Sequence, residues 1–185
     1  MDKKRCRWVP LDDPLYVAYH DEEWGVPVKE RKKLFGMLIL EGFQAGLSWR
    51  TILHKREAFV EAFDGFDPDI VAGYDEAKIA SLLANPRIVR SEAKIRAAVI
   101  NARIYLSIER ECGSFAAYLS SFAPAPIIER GKTVSPLAEN ISADLRKRGM
   151  KYVGATIVFS YLQAIGIVFS HDEDCFVSLR KNPSE

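Results

Sequence analysis

The run Glu41-Gly-Phe-Gln-Ala-Gly-Leu-Ser-Trp49 ends one apolar helix and starts the next. Leu34, Leu38 and Glu41 stand at i, i+4 and i+7, so a helix over residues 31–42 sets two leucines and then a carboxylate along one face. An acid in that row is at least partly buried, and an ionised carboxylate away from water is costly unless hydrogen bonds or a cation offset it. Gly42 and Gly46 break the helix and let the backbone come close to a neighbour, while Ser48 is a good N-cap for a helix that opens with Trp49. Two readings of this corner stay open. Either Glu41 caps the helix of Trp49, or an acid, two glycines and a large aromatic converge on a ligand pocket.

Outward from the corner, residues 48–63 carry Ile52, Leu53, Phe59 and Phe63 on an inner side, which makes residues 31–63 an antiparallel pair of helices. Upstream, Asp13-Pro14 is a helix start, with the acid as N-cap and proline at the first helical position. Tyr16, Tyr19, His20 and Trp24 follow at helical spacing, an aromatic stripe whose default place is the core. Downstream, Asp67-Pro68 restarts a short helix, and Asp75 starts another with Ile79, Leu82 and Leu83, which Asn85-Pro86 ends. Ser91 is placed to cap a long helix with Ile95, Ala98, Val99, Ala102 and Leu106 as its buried stripe. Residues 75–110 therefore read as helix, tight turn, helix. Phe115, Tyr118, Leu119 and Phe122 mark a further helix, residues 124–141 are the least regular, Ser142 starts a helix that stops at Gly149, and residues 154–166 form the last. The fold class is all-α, eight or nine short helices in one domain over residues 1–185.

Mixed charges, a formal net charge of +1 and nearly half apolar residues argue against disorder and against a general basic coat. An anionic partner must then meet a local patch. Arg87, Arg90, Lys94, Arg96 and Arg103 flank the 85–91 turn against one acid, Glu92, and Arg146, Lys147, Arg148 and Lys151 form a second cluster. Each cluster is otherwise a solvated face. No apolar run approaches 18 residues and the start lacks the apolar centre of a signal peptide, so a soluble cytoplasmic protein without a membrane partner is expected.

Three cysteines are too few and too scattered for a disulfide framework. Cys6 and His20 lie near one end and His171 and Cys175 near the other, a Cys2His2 set that suits tetrahedral zinc with no open position. Against this stands the spacing, which is not a finger pattern. His54, on a helix face among charges, reads as exposed.

The segments CRWVPLDDPLYVAYHDEEWGVP, LEGFQAGLSW, IVRSEAKIRAAVINA and KRGMKYVGATIVFSYLQAIG followed by HDEDC resemble the 3-methyladenine DNA glycosylase I (Tag) family over nearly the whole chain. The resemblance implies the helix-hairpin-helix glycosylase superfamily fold, with the hairpin region at about 75–110, and a structural zinc joining the termini through Cys6, His20, His171 and Cys175. It implies hydrolysis of the N-glycosidic bond of 3-methyladenine in alkylated double-stranded DNA, by base flipping, in a monofunctional and monomeric enzyme that releases free 3-methyladenine. Glu41, Tyr19 and Trp49 would act on the base, with Trp8, Tyr16 and Trp24 as pocket walls. Leu47 would be the wedge that enters the duplex, with Gln44 and Gly46 beside it, and Arg87, Arg90, Lys94, Arg148 and Lys151 would meet phosphates. A buried carboxylate and electron-rich rings would select a purine made cationic by N3-methylation.

Two departures stand out. Hairpins of this kind carry glycine where the backbone approaches phosphate, and the chain has Arg87 there; a superfamily aspartate that activates water is also not apparent. The competing readings are a zinc-stapled helical DNA-binding module without catalysis and a metallohydrolase. An acid kept among aromatics speaks against the first, and four protein ligands speak against the second.

Overall fold

The computed structural model describes residues 3–180. Its centre is helix α2 (Arg31–Gln44), with α3 (Trp49–Ala62) folded back against it. The expected single apolar face of α2 is in fact an apolar girdle: Leu34, Phe35, Leu38, Ile39, Leu40 and Phe43 are all buried. The reason is packing on several sides at once, since α3, α6 (Glu92–Cys112), α7 (Phe115–Phe122) and α9 (Ala155–Ala164) all contact it. At Gly36 a Cβ would lie 2.6 Å from the Phe66 ring, so the glycine in mid-helix is what lets the turn at Asp64–Phe66 press onto α2.

Local start signals hold well. Asp13, Asp67 and Asp75 accept hydrogen bonds from Tyr16, Asp69 and Lys78 amides and cap α1 (Pro14–Ala18), α4 (Pro68–Ala72) and α5 (Glu76–Ala84). Ser48 caps α3 through the Thr51 amide at 3.2 Å, which removes the reading of Glu41 as that cap. Ser91 precedes α6 but makes no side-chain capping bond.

Three expectations are corrected. Helix α8 runs Pro136–Lys147 and starts at Ser135, whose hydroxyl accepts from the Ala138 amide; Ser142 lies inside it, buried, with its hydroxyl on the Val153 carbonyl at 2.6 Å. The all-α reading missed a parallel pair, β1 (Ile127–Ile128) with β2 (Val168–Phe169), in register Ile127 to Val168. Two-residue strands are too short for any alternation to be visible in sequence. A short α10 (Phe176–Arg180) follows β2. No helix among the described residues is long and apolar enough to cross a membrane.

Between α1 and α2 the chain makes one π-helical turn, Tyr19–Glu23, closed by the Trp24 amide on the Tyr19 carbonyl at 2.9 Å. Both Tyr19 and His20 are buried there. Residues 25–28 are then sewn to the end of α9, with Gly25 N on Gln163 O at 3.1 Å and Val28 N on Ile165 O at 3.0 Å.

Candidate active site

A cavity of about 370 Å³, within the size range of small-ligand sites, opens where α1, the π-turn, the α2–α3 corner and α9 meet. The structure brings Trp8, Tyr16, Tyr19, Trp24, Glu41, Gln44 and Trp49 together as its lining. Their rings form a continuous wall: Trp49 to Tyr19 at 5.3 Å, Tyr19 to Tyr16 at 6.3 Å, Tyr16 to Trp8 at 5.8 Å and Trp8 to Trp24 at 4.7 Å between centroids. Glu41 faces this wall at 3% exposure. Its Oε2 and the Trp49 Nε1 are both buried without a hydrogen-bond partner, an acceptor and a donor left for something else. Burial pushes the Glu41 carboxyl up to about 8. Burial, and then the nearby Glu41, also raise the Tyr16 and Tyr19 phenols, so both hydroxyls stay protonated at neutral pH.

Just beyond the acid lies Lys94, expected at a phosphate-binding surface. Its ammonium donates to the carbonyls of Phe43 at 2.8 Å and Ala45 at 2.5 Å, capping the C-terminus of α2. Arg87 pairs with Glu61 at 2.6 Å, and Arg148 with Glu111 at 2.6 Å and Asp144 at 2.7 Å. Arg90 and Lys151 are exposed. His54, half exposed as expected, is also anchored by Nε2 on the buried Asp13 at 2.7 Å. On the α2–α3 corner Gly46 has φ +78 and open space around its α-carbon, and Leu47 beside it is 42% exposed.

The remaining lining residues were not singled out in the sequence. Gly131, Lys132, Ser160, Gln163, Ser170 and Asp172 form the cavity's polar side. Ser160 and Gln163, at i and i+3 of α9, could have been found as one helix face; the others sit in loops placed by long-range hydrogen bonds.

Directly behind Trp8 and Trp24, four buried side chains meet, and they could hold a metal ion: Cys6, His20, His171 and Cys175, with donor atoms all within 4.8 Å of one another. His171 Nδ1 lies 3.2 Å from His20 Nε2, 3.5 Å from Cys6 Sγ and 3.6 Å from Cys175 Sγ. The outward ring nitrogens are fixed too. His20 Nδ1 meets Asp21 Oδ1 at 2.8 Å, and Arg5 grips that carboxylate with Nε at 2.8 Å and Nη2 at 2.7 Å. His171 Nε2 faces the Trp24 carbonyl at 3.0 Å. Burial pushes the Cys6 thiol up to about 12 and holds His20 below the ordinary imidazole range, so these two side chains favour their neutral forms, and a bound cation would have to displace the Cys6 proton.

An unpartnered acid in an aromatic-lined cavity, beside an exposed leucine and on an almost wholly helical frame, has the chemistry of a site for a flat ring. The profile of the methyladenine glycosylase family matches residues 8–178, and the chain belongs to that family. It is 44% identical over 179 residues to DNA-3-methyladenine glycosylase 1 of Escherichia coli K12, covering 93% of this chain and 95% of the relative. A solved 3-methyladenine DNA glycosylase I (TAG) superposes with TM-score 0.89 at 44% identity, over 94% of this chain and 98% of that one. The enzyme of Staphylococcus aureus, solved for the structural basis of its 3-methyladenine recognition, gives TM-score 0.88 at 40% identity, over 92% and 94%. The chain is accordingly an enzyme, a glycosylase acting on N-glycosyl bonds.

Proposed function

We propose that this enzyme hydrolyses the N-glycosidic bond of 3-methyladenine in alkylated double-stranded DNA, working as a monomer on a nucleotide turned out of the duplex. The observation that carries the reading is Glu41 Oε2, a buried acceptor without a partner in a cavity walled by rings. N3-methylation makes the nucleotide's purine cationic, and a carboxyl that ionises only when a cation arrives discriminates it from neutral adenine. The Trp49 indole supplies a stacking face and its unpartnered N–H, and Tyr19 and Tyr16 supply protonated hydroxyls near the acid. The alkylated base is already a good leaving group. Holding it while water attacks the sugar makes strong acid catalysis unnecessary, which supports a monofunctional glycosylase.

Leu47 is the wedge for the vacated stack, with Gln44 and Gly46 beside it. For the phosphate surface the glycine criterion favours a second turn over 85–91. Between α8 and α9 the chain has Gly149 at φ +101 and Gly154 as an N-cap without a side-chain capping bond, flanked by Arg146 and Lys151. That turn is the better candidate for the superfamily hairpin, and Arg90 remains as a contact from the first.

For the metal, zinc is the reading. Thiolate and imidazole ligands at about 2.3 and 2.0–2.1 Å in a tetrahedron stand about 3.5 Å apart, and two imidazole nitrogens about 3.3 Å apart. The separations of 3.5, 3.6 and 3.2 Å fit. Cys6, His20, His171 and Cys175 would hold the ion, which supplies the charge that keeps two buried thiolates and links the chain's two ends. Four protein donors leave no position for substrate.

The test is single-turnover release of 3-methyladenine from methylated duplex DNA by the purified enzyme. Absence of release, with the fold intact and DNA bound, would return the chain to the reading as a binding module.

A further inference from the structure

The cavity has two chemical halves, and its polar half contains a cation that base recognition does not use. Among the described lining residues only Lys132 is positively charged. A cationic purine is repelled by an ammonium, so Lys132 has no place against the base that Glu41 attracts. We propose that Lys132 binds the backbone phosphate next to the turned-out nucleotide and so positions that nucleotide for cleavage. This inference rests on the glycosylase reading above.

Three hydrogen bonds fasten the two residues that precede the loop of Lys132. Glu129 N donates to Phe169 O at 3.0 Å, Ser170 Oγ to Glu129 O at 2.5 Å, and Arg130 Nε to His171 O at 2.8 Å. Gly131, at φ +66, then turns the chain so that Lys132 follows at the rim. The side chain is half exposed, and Nζ meets Glu129 Oε1 at 2.9 Å. Glu129 is itself only 13% exposed, and its Oε2 is buried without a partner, so the carboxylate holds the lysine in place and is not a free surface acid. An ammonium has three donors. One serves Glu129, and two remain for an anion that enters from the solvent side. Arg130, next in the chain, donates to the His171 carbonyl, while Arg7 is 93% exposed and reaches Asp172 only at 3.7 Å.

The experiment compares wild type, Lys132→Gln and Lys132→Arg in three measurements: affinity for a duplex with a tetrahydrofuran abasic site across a salt series, affinity for free 3-methyladenine, and thermal melting. Lys132→Gln should weaken the abasic duplex roughly three- to tenfold and lower the salt slope by about 1, with free-base affinity and melting unchanged, and Lys132→Arg should restore both. Unchanged duplex affinity and slope would overturn the proposal, as would an equal loss for the free base. A borohydride-trapped covalent complex with natural abasic DNA that Lys132→Gln abolishes would also overturn it, by making the lysine a nucleophile. Wild type that releases no base sinks the glycosylase reading; release by wild type with an unaltered Lys132→Gln variant sinks only this one.

Discussion

The backbone carbonyl of Trp24 sits 3.0 Å from Nε2 of His171, so a wall of the aromatic cavity and a member of the Cys/His cluster share one contact. Trp8 is two residues from Cys6, and the amide of Asp172, another lining residue, lies 3.2 Å from the Cys6 sulfur. One side of the cavity is therefore built on the cluster. Cys175→Ser, or removal of the metal by chelation, should lower the melting temperature by about 5 °C, for a loss of roughly 2 kcal/mol in a chain of this size. It should also weaken free 3-methyladenine binding. Equal melting with and without metal would remove the linking role.

Glu41 should make stability fall with pH. A carboxyl at about 8 in the folded state and at its ordinary value of 4.5 when unfolded binds its proton more tightly in the folded chain. Folding is then favoured below the unfolded value and loses ground as pH rises from there to about 8, by a few kcal/mol in all at about 1.4 kcal/mol per pH step. Glu41→Gln lacks that loss. The variant should match wild type in denaturant melts near pH 5 and exceed it at pH 8; parallel curves would refute the burial argument.

The same variant separates reading the base from holding the fold. Glu41→Gln should keep its metal and bind abasic DNA, yet release 3-methyladenine about ten- to a hundredfold more slowly and bind the free base more weakly, the span of one charge-assisted hydrogen bond. Single-turnover rates and base titrations at one pH decide it. Wild-type values in both would take Glu41 out of recognition.

On the DNA face, Lys151→Gln should weaken binding to all sequences alike and reduce the salt slope by about 1. Arg87→Gln should do less, because Arg87 is paired with Glu61. The reverse order in a salt-titration series would return the phosphate surface to the 85–91 turn.

Two glycines with the same backbone sign should respond differently to alanine. Gly46 is at φ +78 with open space, so Gly46→Ala should cost only the backbone strain of about 1 kcal/mol. Gly166, at φ +75, would place a Cβ 2.5 Å from the backbone of Val26 and Pro27. Gly166→Ala should cost more than about 2 kcal/mol in chemical denaturation and loosen the segment that carries Trp24.

How far the sequence could be read follows the distance over which each residue is fixed. Asp13, Asp67 and Asp75 cap helices through amides two or three residues away, and all three were legible. Glu41 was legible as an anomaly in an apolar row. Ser142 misled because a serine before a polar stretch mimics a cap, while Ser135-Pro136 carried the same signal as Asp13-Pro14 and lay in a stretch read as irregular. Lys94 was read as a phosphate contact, but its cap on α2 could not be read, nor could the place of Lys132. The carbonyls that engage Lys94 are 49 and 51 residues away, and the loop of Lys132 is fastened to residues 169–171. Nothing local marks either lysine.

The contact between Cys6 and His171 spans 165 residues. On a ribosome adding about 5–20 residues per second, the first half of that clasp waits roughly ten to thirty seconds for the second. Through that interval α2 and α3 can pair and Glu41 can be buried, but Trp8 and Trp24 have no backing. The nascent chain thus holds an acid before it holds a cage, and the wall of Trp8 and Trp24 gains its support only with the segment from His171 to Cys175.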